Sequence, residues 1–534
     1  MSIDLTFFPP LGATGAPLSM RVTQGLVRAV VTAAGRTATI DGERRRTWRE
    51  VGDRVARLAG GLHEQAGLKT RDRVAILAHN CDLYFETYFA VLWAGGVLTP
   101  LNTRLATPEL AFQLRDAGVE TLCFGEEFAA VAEQLLAEGA VQRLIALDGT
   151  PGASPHLTHE GLIQTSEPAE EHLAADGDLA GIFYTGGTTG LPKGVMLSHG
   201  NLHAIASNLL MTIPFDETGV NFHAAPMFHL ADIGILFATM TGATHVFRRS
   251  YNAETMLEAI AEHGVTHCFT VPAVIDRMAK YDRLDQLDLS QLKMLGYGGS
   301  SLPAATLALA REKFPHVGFI QGFGQTEMAS VTVLTPQDHQ CADDHPRLRS
   351  CGKVAPGFEI RIVDEAGNEV PRGQIGEIVG RGDNVMMGYW NRPEETAEVM
   401  RDGWLHTRDA GWMDEDGYIY ITDRLKDMIV SGAENVYSIE VENALSWHPA
   451  VEESAVIGIP DPVWGERVHA VVVCKVGASQ PSFEELSAFC RQRIAGYKTP
   501  KSVSFSETRL PRSAAGKIQK NPVREAVLKD LNLT

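Results

Sequence analysis

Apolar residues return every three or four positions from Trp48 onward. Trp48, Val51, Val55, Leu58, Ala59 and Leu62 share one face, so the spacing predicts a helix over 48–62. An apolar run at 73–78 reads as a strand, and the two patterns then alternate: helix 82–94, strand 97–100, a helix after Thr107, strand 121–124. Short apolar strands separated by helical segments mean a mainly parallel sheet with helices on its faces. A polar interval at 148–166 interrupts the alternation. It restarts with strands expected at 222–225, 244–247, 267–271 and 294–297 and helices at 253–263 and 303–314, so a second helix-covered sheet is expected. Between 357 and 421 the pattern changes to short alternating strands with turn signals, as in Glu359-Ile-Arg-Ile-Val363 followed by Glu365-Ala-Gly-Asn368. That predicts a small antiparallel, barrel-like unit. A compact α+β segment closes the chain, with helix 438–447, strands 451–459 and 468–475, and helix 482–492. The fold class expected is therefore α/β, with the chain's 534 residues too many for one hydrophobic core.

Composition narrows the class without naming a function. Hydrophobic residues at 44% and charged residues at 21% are those of an ordinary globular chain. A net charge of −19 argues against a general affinity for nucleic acid or an anionic membrane. The seven cysteines are scattered without a CxxC pair, which favours free buried thiols over disulfides or zinc. The first residues lack the basic flank and apolar core of a signal peptide, and no apolar run approaches the ~18 residues of a spanning helix, so a cytoplasmic location is expected.

The densest chemistry lies at 184–199, YTGGTTGLPKGVMLSH. Glycines let successive backbone N–H groups turn toward one point, threonine hydroxyls add donors, and Lys193 brings a full charge, which together suit a polyphosphate. A Walker loop it is not, because Lys193 follows Leu191-Pro192 and precedes Gly194. Two more glycine motifs follow predicted strands. Gly298-Gly-Ser-Ser-Leu-Pro303 lacks the third glycine of a dinucleotide fingerprint, and Gln321-Gly-Phe-Gly-Gln-Thr-Glu327 offers a flat ring in Phe323, a hydroxyl in Thr326 and a hard oxygen ligand in Glu327.

These stretches resemble the signatures of the adenylate-forming superfamily: acyl-CoA synthetases, peptide-synthetase adenylation domains and beetle luciferases. The resemblance runs over nearly the whole chain. It implies a large N-terminal domain at 1–425 and a small mobile domain at 426–534 that turns about Lys426. ATP and AMP contacts are implied for Thr185, Gly186, Gly187, Thr188, Thr189, Gly190, Lys193, Gly299, Ser300, Ser301, Gln321, Gly322, Phe323, Gly324 and Thr326. Asp409 and Arg424, ordinary surface charges when seen singly, are implied at the ribose. Glu327 and Thr188 are the implied magnesium site, and Lys517, in Leu510-Pro-Arg-Ser-Ala-Ala-Gly-Lys-Ile518, is the implied adenylation lysine. The acyl pocket is implied for His229, Ile233, Gly234, Gly298, Gly299 and Gly322, and the coenzyme A channel for Gly432, Ala433 and Glu434. Two positions depart from the family, Gly186 where serine is usual and Ala433 where glycine is usual.

The expected activity is an ATP-dependent, magnesium-dependent acid–CoA ligase that makes an acyl-adenylate and then passes the acyl group to coenzyme A. A homodimer is expected from the family alone. For the acid, Gly234, Gly298 and Gly299 suggest room for a bulky tail, which favours a medium or long fatty acid, with an aryl-propenoic or short substituted propionic acid as alternatives. A stand-alone acyl-AMP ligase and a silent nucleotide or acyl sensor are the remaining readings.

Overall fold

The computed structural model describes residues 20–149, 156–185, 192–299, 302–424, 429–431, 434–462, 464–512 and 518–531. The first predicted sheet is present. It has eight strands in the order Gly388–Tyr389, Lys193–Ser198, Leu179–Thr185, Val97–Pro100, Arg73–Leu77, Thr121–Phe124, Arg143–Ala146 and Leu157–Thr158. The strand-to-strand pairs from Leu179–Thr185 to Leu157–Thr158 are parallel, and the two at the other edge are antiparallel.

The second sheet has nine strands: Lys353–Val354, Ala329–Leu334, Gly318–Gln325, Met294–Gly298, His267–Thr270, Val220–Phe222, Thr244–Phe247, Thr37–Asp41 and Arg44–Thr47. Its far edge differs from the sequence expectation. Residues before Trp48 form a hairpin whose first strand runs parallel to Thr244–Phe247, with Thr39 opposite His245. The hairpin's Arg44 and Arg46 reach the buried Asp82, and Arg54 grips the buried Glu86 at 2.8 Å, so these arginines neutralise two buried carboxylates.

Side-chain alternation along the strands sorts the core into layers. In the first sheet Val74 and Ile76 face one cluster while Ala75 and Leu77 face another, and in the second Met294 and Ile320 are separated in the same way from Leu295 and Phe319. Val74, Ile76, Met294 and Ile320 belong to one shared cluster with the helices Trp48–Glu64 and Asp82–Trp93. Helices therefore fill the space between the sheets. Asp82–Trp93 is buried at every residue, which accounts for its apolar residues on all sides. The helix Trp48–Glu64 starts with a capping box, Thr47 Oγ1 accepting from Glu50 N–H and Glu50 Oε2 accepting from Thr47 N–H.

The antiparallel unit is a five-stranded sheet built from Phe358–Val363, Gly376–Gly382, Met400–Arg401, Trp404–Met413 and Ile419–Arg424. The last part of the chain forms its own five-stranded sheet, with the helices Ser438–Ser446 and Phe483–Arg491 and two apolar clusters. All seven cysteines are free, as expected. Among the described residues no helix is long and apolar enough to cross a membrane.

Candidate active site

The hairpin Leu179–Thr185/Lys193–Ser198 carries the glycine-threonine loop at its tip. Tyr184 pairs with Gly194 and Thr185 with Lys193, and Thr185 Oγ1 donates to the Lys193 carbonyl at 3.4 Å. Gly186, Gly187, Thr188, Thr189 and Gly190 lie outside the described residues, but the two strands deliver the loop's ends side by side. Lys193 Nζ stands 5.0 Å from the ring centroid of Tyr389, a cation over an aromatic face. The same Tyr389 donates its hydroxyl to Glu327 Oε1 at 2.8 Å. It reaches both because its short strand pairs with Lys193–Ser198, Tyr389 opposite Val195, while the Met386 N–H bonds the Glu327 carbonyl at 2.8 Å. One ring thus ties the lysine of the first sheet to a carboxylate in a hairpin turn of the second.

The glycines of Gln321 to Gln325 suggest a turn after a strand; these residues are the strand itself. Gly318–Gln325 runs parallel to Met294–Gly298, with Gly298 opposite Gly322, and turns at 326–328 into Ala329–Leu334. A methyl group at Gly324 would sit 1.4 Å from the Ala329 carbonyl oxygen, so the tight return of this hairpin requires glycine. Gln325 at the strand's end donates from Nε2 to Asp409 Oδ2 at 2.7 Å and to the Thr407 carbonyl at 2.8 Å. Asp409 is buried and points inward because Arg408 before it takes a left-handed backbone, φ 61°, with the Asp409 N–H bonded to Thr407 Oγ1. Arg424 lies directly opposite Asp409 in the neighbouring strand. Gly299, at φ 78°, turns the chain out of the Met294–Gly298 strand.

The stretch bearing His229 is braced from below. Asn80 Nδ2 donates to the carbonyls of His223 and Ala225, each at 2.8 Å, and Asn80 Oδ1 accepts from Met227 N–H at 2.8 Å. His229 Nδ1 accepts from the Ala231 N–H at 3.1 Å. A buried polar chain continues downward: Asp232 Oδ2 to His223 Nδ1 at 2.7 Å, His223 Nε2 to His245 Nδ1 at 2.9 Å, and His245 Nε2 to Thr239 Oγ1 at 3.2 Å. Burial, and then the His223 ring, hold His245 well below the ordinary imidazole range, so it is neutral. Ile233 is buried, and Gly234 opens the helix Gly234–Thr241. The room expected at Gly234 and Gly298 is not free volume. A methyl group at Gly234 would lie 2.5 Å from Asn221 Nδ2, and one at Gly298 would lie 2.8 Å from the Gly322 carbonyl oxygen. These glycines bring backbones and side chains into close contact.

A family model described as AMP-binding enzyme matches residues 26–390, and one described as AMP-binding enzyme C-terminal domain matches 440–517. The chain belongs to the AMP-binding enzyme family. Among its relatives in this family, feruloyl-CoA synthase of Amycolatopsis sp. is 41% identical over 490 residues, 91% of this chain and 95% of the relative. The long-chain-fatty-acid–CoA ligase FadD13 of Mycobacterium tuberculosis is 34% identical over 464 residues, 86% of this chain and 89% of the relative. Among solved structures, the amide bond synthetase McbA from Marinactinospora thermotolerans has a TM-score of 0.86 at 31% identity, covering 95% of this chain and 99% of that one. The anthranilate CoA ligase AuaEII with anthranoyl-AMP gives 0.88 at 27% identity, over 98% and 100% of the two chains. Family membership makes this chain an adenylate-forming acid–CoA ligase that uses ATP, magnesium and coenzyme A.

As an AMP-binding enzyme it needs a magnesium site, and Glu327 fits one. Its carboxylate is half-buried and oriented by Tyr389, and a magnesium ion carried on one carboxylate, waters and phosphate oxygens needs no cage of protein ligands. Among the described residues no group of three His, Cys, Asp or Glu gathers to form such a cage. The structure brings together Thr185, Lys193, Glu327, Phe323, Gly324 and Asp409 around adjoining strand ends. Ser300, Ser301, Lys426, Gly432, Ala433 and Lys517 lie outside the described residues, and Glu434 enters only through its place in the short strand Glu434–Val436. Sequence reasoning missed Tyr389, Gln325 and Asn80. Gln325 stands inside a motif singled out above, and Tyr389 follows a glycine in Gly388-Tyr-Trp390, a cue for an edge strand docking closely.

Proposed function

We propose that this ligase activates an aryl-propenoic acid of the ferulate class. The observation that carries the reading is the partly exposed peptide backbone where Gly298 faces Gly322 across two parallel strands and runs on into the exposed Gly299, bordered by the Phe269 ring that covers Gly296, with Phe237 packed edge-on against Phe269. A planar, conjugated acid can lie flat on peptide backbone, and it loses few rotors when it binds. The 41% identity to a feruloyl-CoA synthase supports the same class. A medium or long fatty acid is the second reading, supported by the 34% identity to FadD13.

The acid's carboxylate oxygen attacks the α-phosphorus of ATP, and the bond to the bridging oxygen breaks to release pyrophosphate. Thr188, Lys193 and Lys517 offset the charge gathering on the phosphates, and Glu327 with Thr188 would hold magnesium, which would add to that neutralisation. Phe323 stacks on adenine, and Asp409, aimed by Gln325, takes the ribose hydroxyls with Arg424 beside it. The small domain, 426–534, then turns about Lys426, withdrawing Lys517 and bringing Gly432, Ala433 and Glu434 to the acid. The coenzyme A thiol attacks the carbonyl carbon under His229, and AMP leaves. A homodimer belongs to the same reading and is tested by light scattering.

The deciding experiment is an acid panel with ATP and magnesium, following pyrophosphate with and without coenzyme A and identifying products by mass. Coenzyme A-dependent turnover on cinnamate, coumarate and ferulate supports the first reading. Preference for C8–C18 fatty acids selects the second, and pyrophosphate release indifferent to coenzyme A overturns both in favour of an acyl-AMP ligase.

A further inference from the structure

Asp116 lies in the last turn of the helix Thr107–Ala117, where the helix dipole disfavours an anion. It is remote in sequence from every motif above, yet three hydrogen bonds converge on it. Tyr184 Oη donates to Asp116 Oδ2 at 2.7 Å, Arg392 donates to Oδ1 at 3.0 Å, and Trp390 Nε1 donates to the Asp116 carbonyl at 2.9 Å. Tyr184 is two residues before the start of the phosphate loop. At the loop's other end, the Trp390 N–H donates to the Gly194 carbonyl at 2.7 Å, one residue after Lys193. Both ends of the loop are therefore bonded to Asp116, one directly and one through Trp390.

Packing enforces the arrangement. Tyr184 and Trp390 both lie on the apolar cluster of Leu110, Ala111 and Leu114 from the same helix. Gly194 sits between them: a methyl group there would lie 3.2 Å from Tyr184 Cζ, 3.3 Å from Trp390 Cβ and 2.6 Å from Ile182 Cγ2. Burial, reinforced by the Asp116 carboxylate, holds the Tyr184 phenol far above its usual range, so it remains a donor at any working pH. Trp390 also follows Tyr389, the ring between Lys193 and Glu327.

We propose that Asp116 is a positioning residue for ATP: by joining Tyr184, Arg392 and Trp390 it fixes the spacing of the phosphate loop's two ends and the placement of Lys193. The inference rests on the assignment of that loop to the ATP phosphates. Asp116 touches no reacting atom, so its removal acts on nucleotide binding and leaves recognition of the acid in place.

The test compares wild type with Asp116→Ala, Asp116→Asn, Tyr184→Phe and the double variant Asp116→Ala/Tyr184→Phe. ATP affinity is measured by calorimetry, KM for ATP and for the acid separately by pyrophosphate release, and folding by the thermal midpoint. Asp116→Ala is expected to weaken ATP binding about tenfold or more while KM for the acid stays within about twofold. Asparagine can still accept from Arg392 and donate to Tyr184, so Asp116→Asn restores most of the affinity. The double variant is expected to be no worse than Asp116→Ala, because both remove the same link. Wild-type ATP affinity in a folded Asp116→Ala or Tyr184→Phe protein overturns the proposal, as does an equal rise in both KM values with a lowered midpoint. Should Asp116→Ala fail to fold, ATP affinity in Tyr184→Phe, which removes the same bond, decides the matter by the same criteria. Absence of ATP binding by the wild type would instead sink the loop assignment itself.

Discussion

The phosphate edge and the strand-end floor are built on opposite principles. At the phosphate edge, Lys193, Tyr389, Glu327 and Tyr184 are held by side-chain contacts from elements far away in sequence. At the floor, Gly298, Gly322 and Gly324 are placed by strand register, and close backbone contact does the work. A site held by side chains can lose one contact and keep its fold, whereas a site made of backbone has no atom to spare. Function and stability should therefore separate at the first and move together at the second.

The largest effect is expected from Gly324→Val, where even the first carbon would overlap the Ala329 carbonyl oxygen. Folded protein should be lost, as read by soluble yield and near-ultraviolet circular dichroism; a folded, active variant would erase the distinction between the two regions. Next comes Tyr389→Phe, which removes only the hydroxyl on Glu327. Its kcat/KM for ATP should fall roughly tenfold to a hundredfold with the thermal midpoint little changed, and a drop in the midpoint alone would place Tyr389 with the floor.

Asn80→Ala strips two carbonyls and one N–H of their partners under the His229 stretch. A loss of about 1–3 kcal/mol is expected in denaturant unfolding. The smallest effect sharpens the floor's electrostatics. Burial pushes His267 and His339, both in or against the second sheet, down to about 4. Because the unfolded rings take a proton first, near 6.5, their contribution is fully present above that pH and is lost as the pH falls toward 4. Between pH 7.5 and 6.5 each should cost about 0.3 kcal/mol of stability, and His267→Gln should flatten that slope by its share.

The contrast also accounts for what is legible in the chain. Parallel strands and their helices can be read because their apolar periods are local, and Lys193, Glu327 and Asp409 sit in motifs that the family resemblance marks. The hairpin before Trp48 is not legible, because its outer strand is Arg44-Arg-Arg-Thr47 and its inner strand finds its partner some two hundred residues later. Gln321 to Gln325 read as a turn because their glycines mimic one; the pairing with Met294–Gly298 on one side and Ala329–Leu334 on the other decides for strand. Tyr389 and Asp116 owe their importance to what they touch, and local pattern carries no record of contacts across the fold. The acid class depends on the same kind of distant packing. Gly234 suggests open space in the sequence and is filled by Asn221 in the fold.

The edge strand Gly388–Tyr389 joins a sheet whose other members are all complete by Ser198. During synthesis the ribosome must therefore add almost two hundred further residues before the first sheet gains its last strand. Until then Lys193 has no ring beneath it, Glu327 has no phenol to orient it, and the hairpin's outer edge is unpaired. A nascent chain that has already folded its first half should bind ATP poorly and expose a strand edge open to pairing with other chains. Nucleotide affinity would thus arrive late, once residue 390 has cleared the exit tunnel for the phosphates and Asp409 for the ribose.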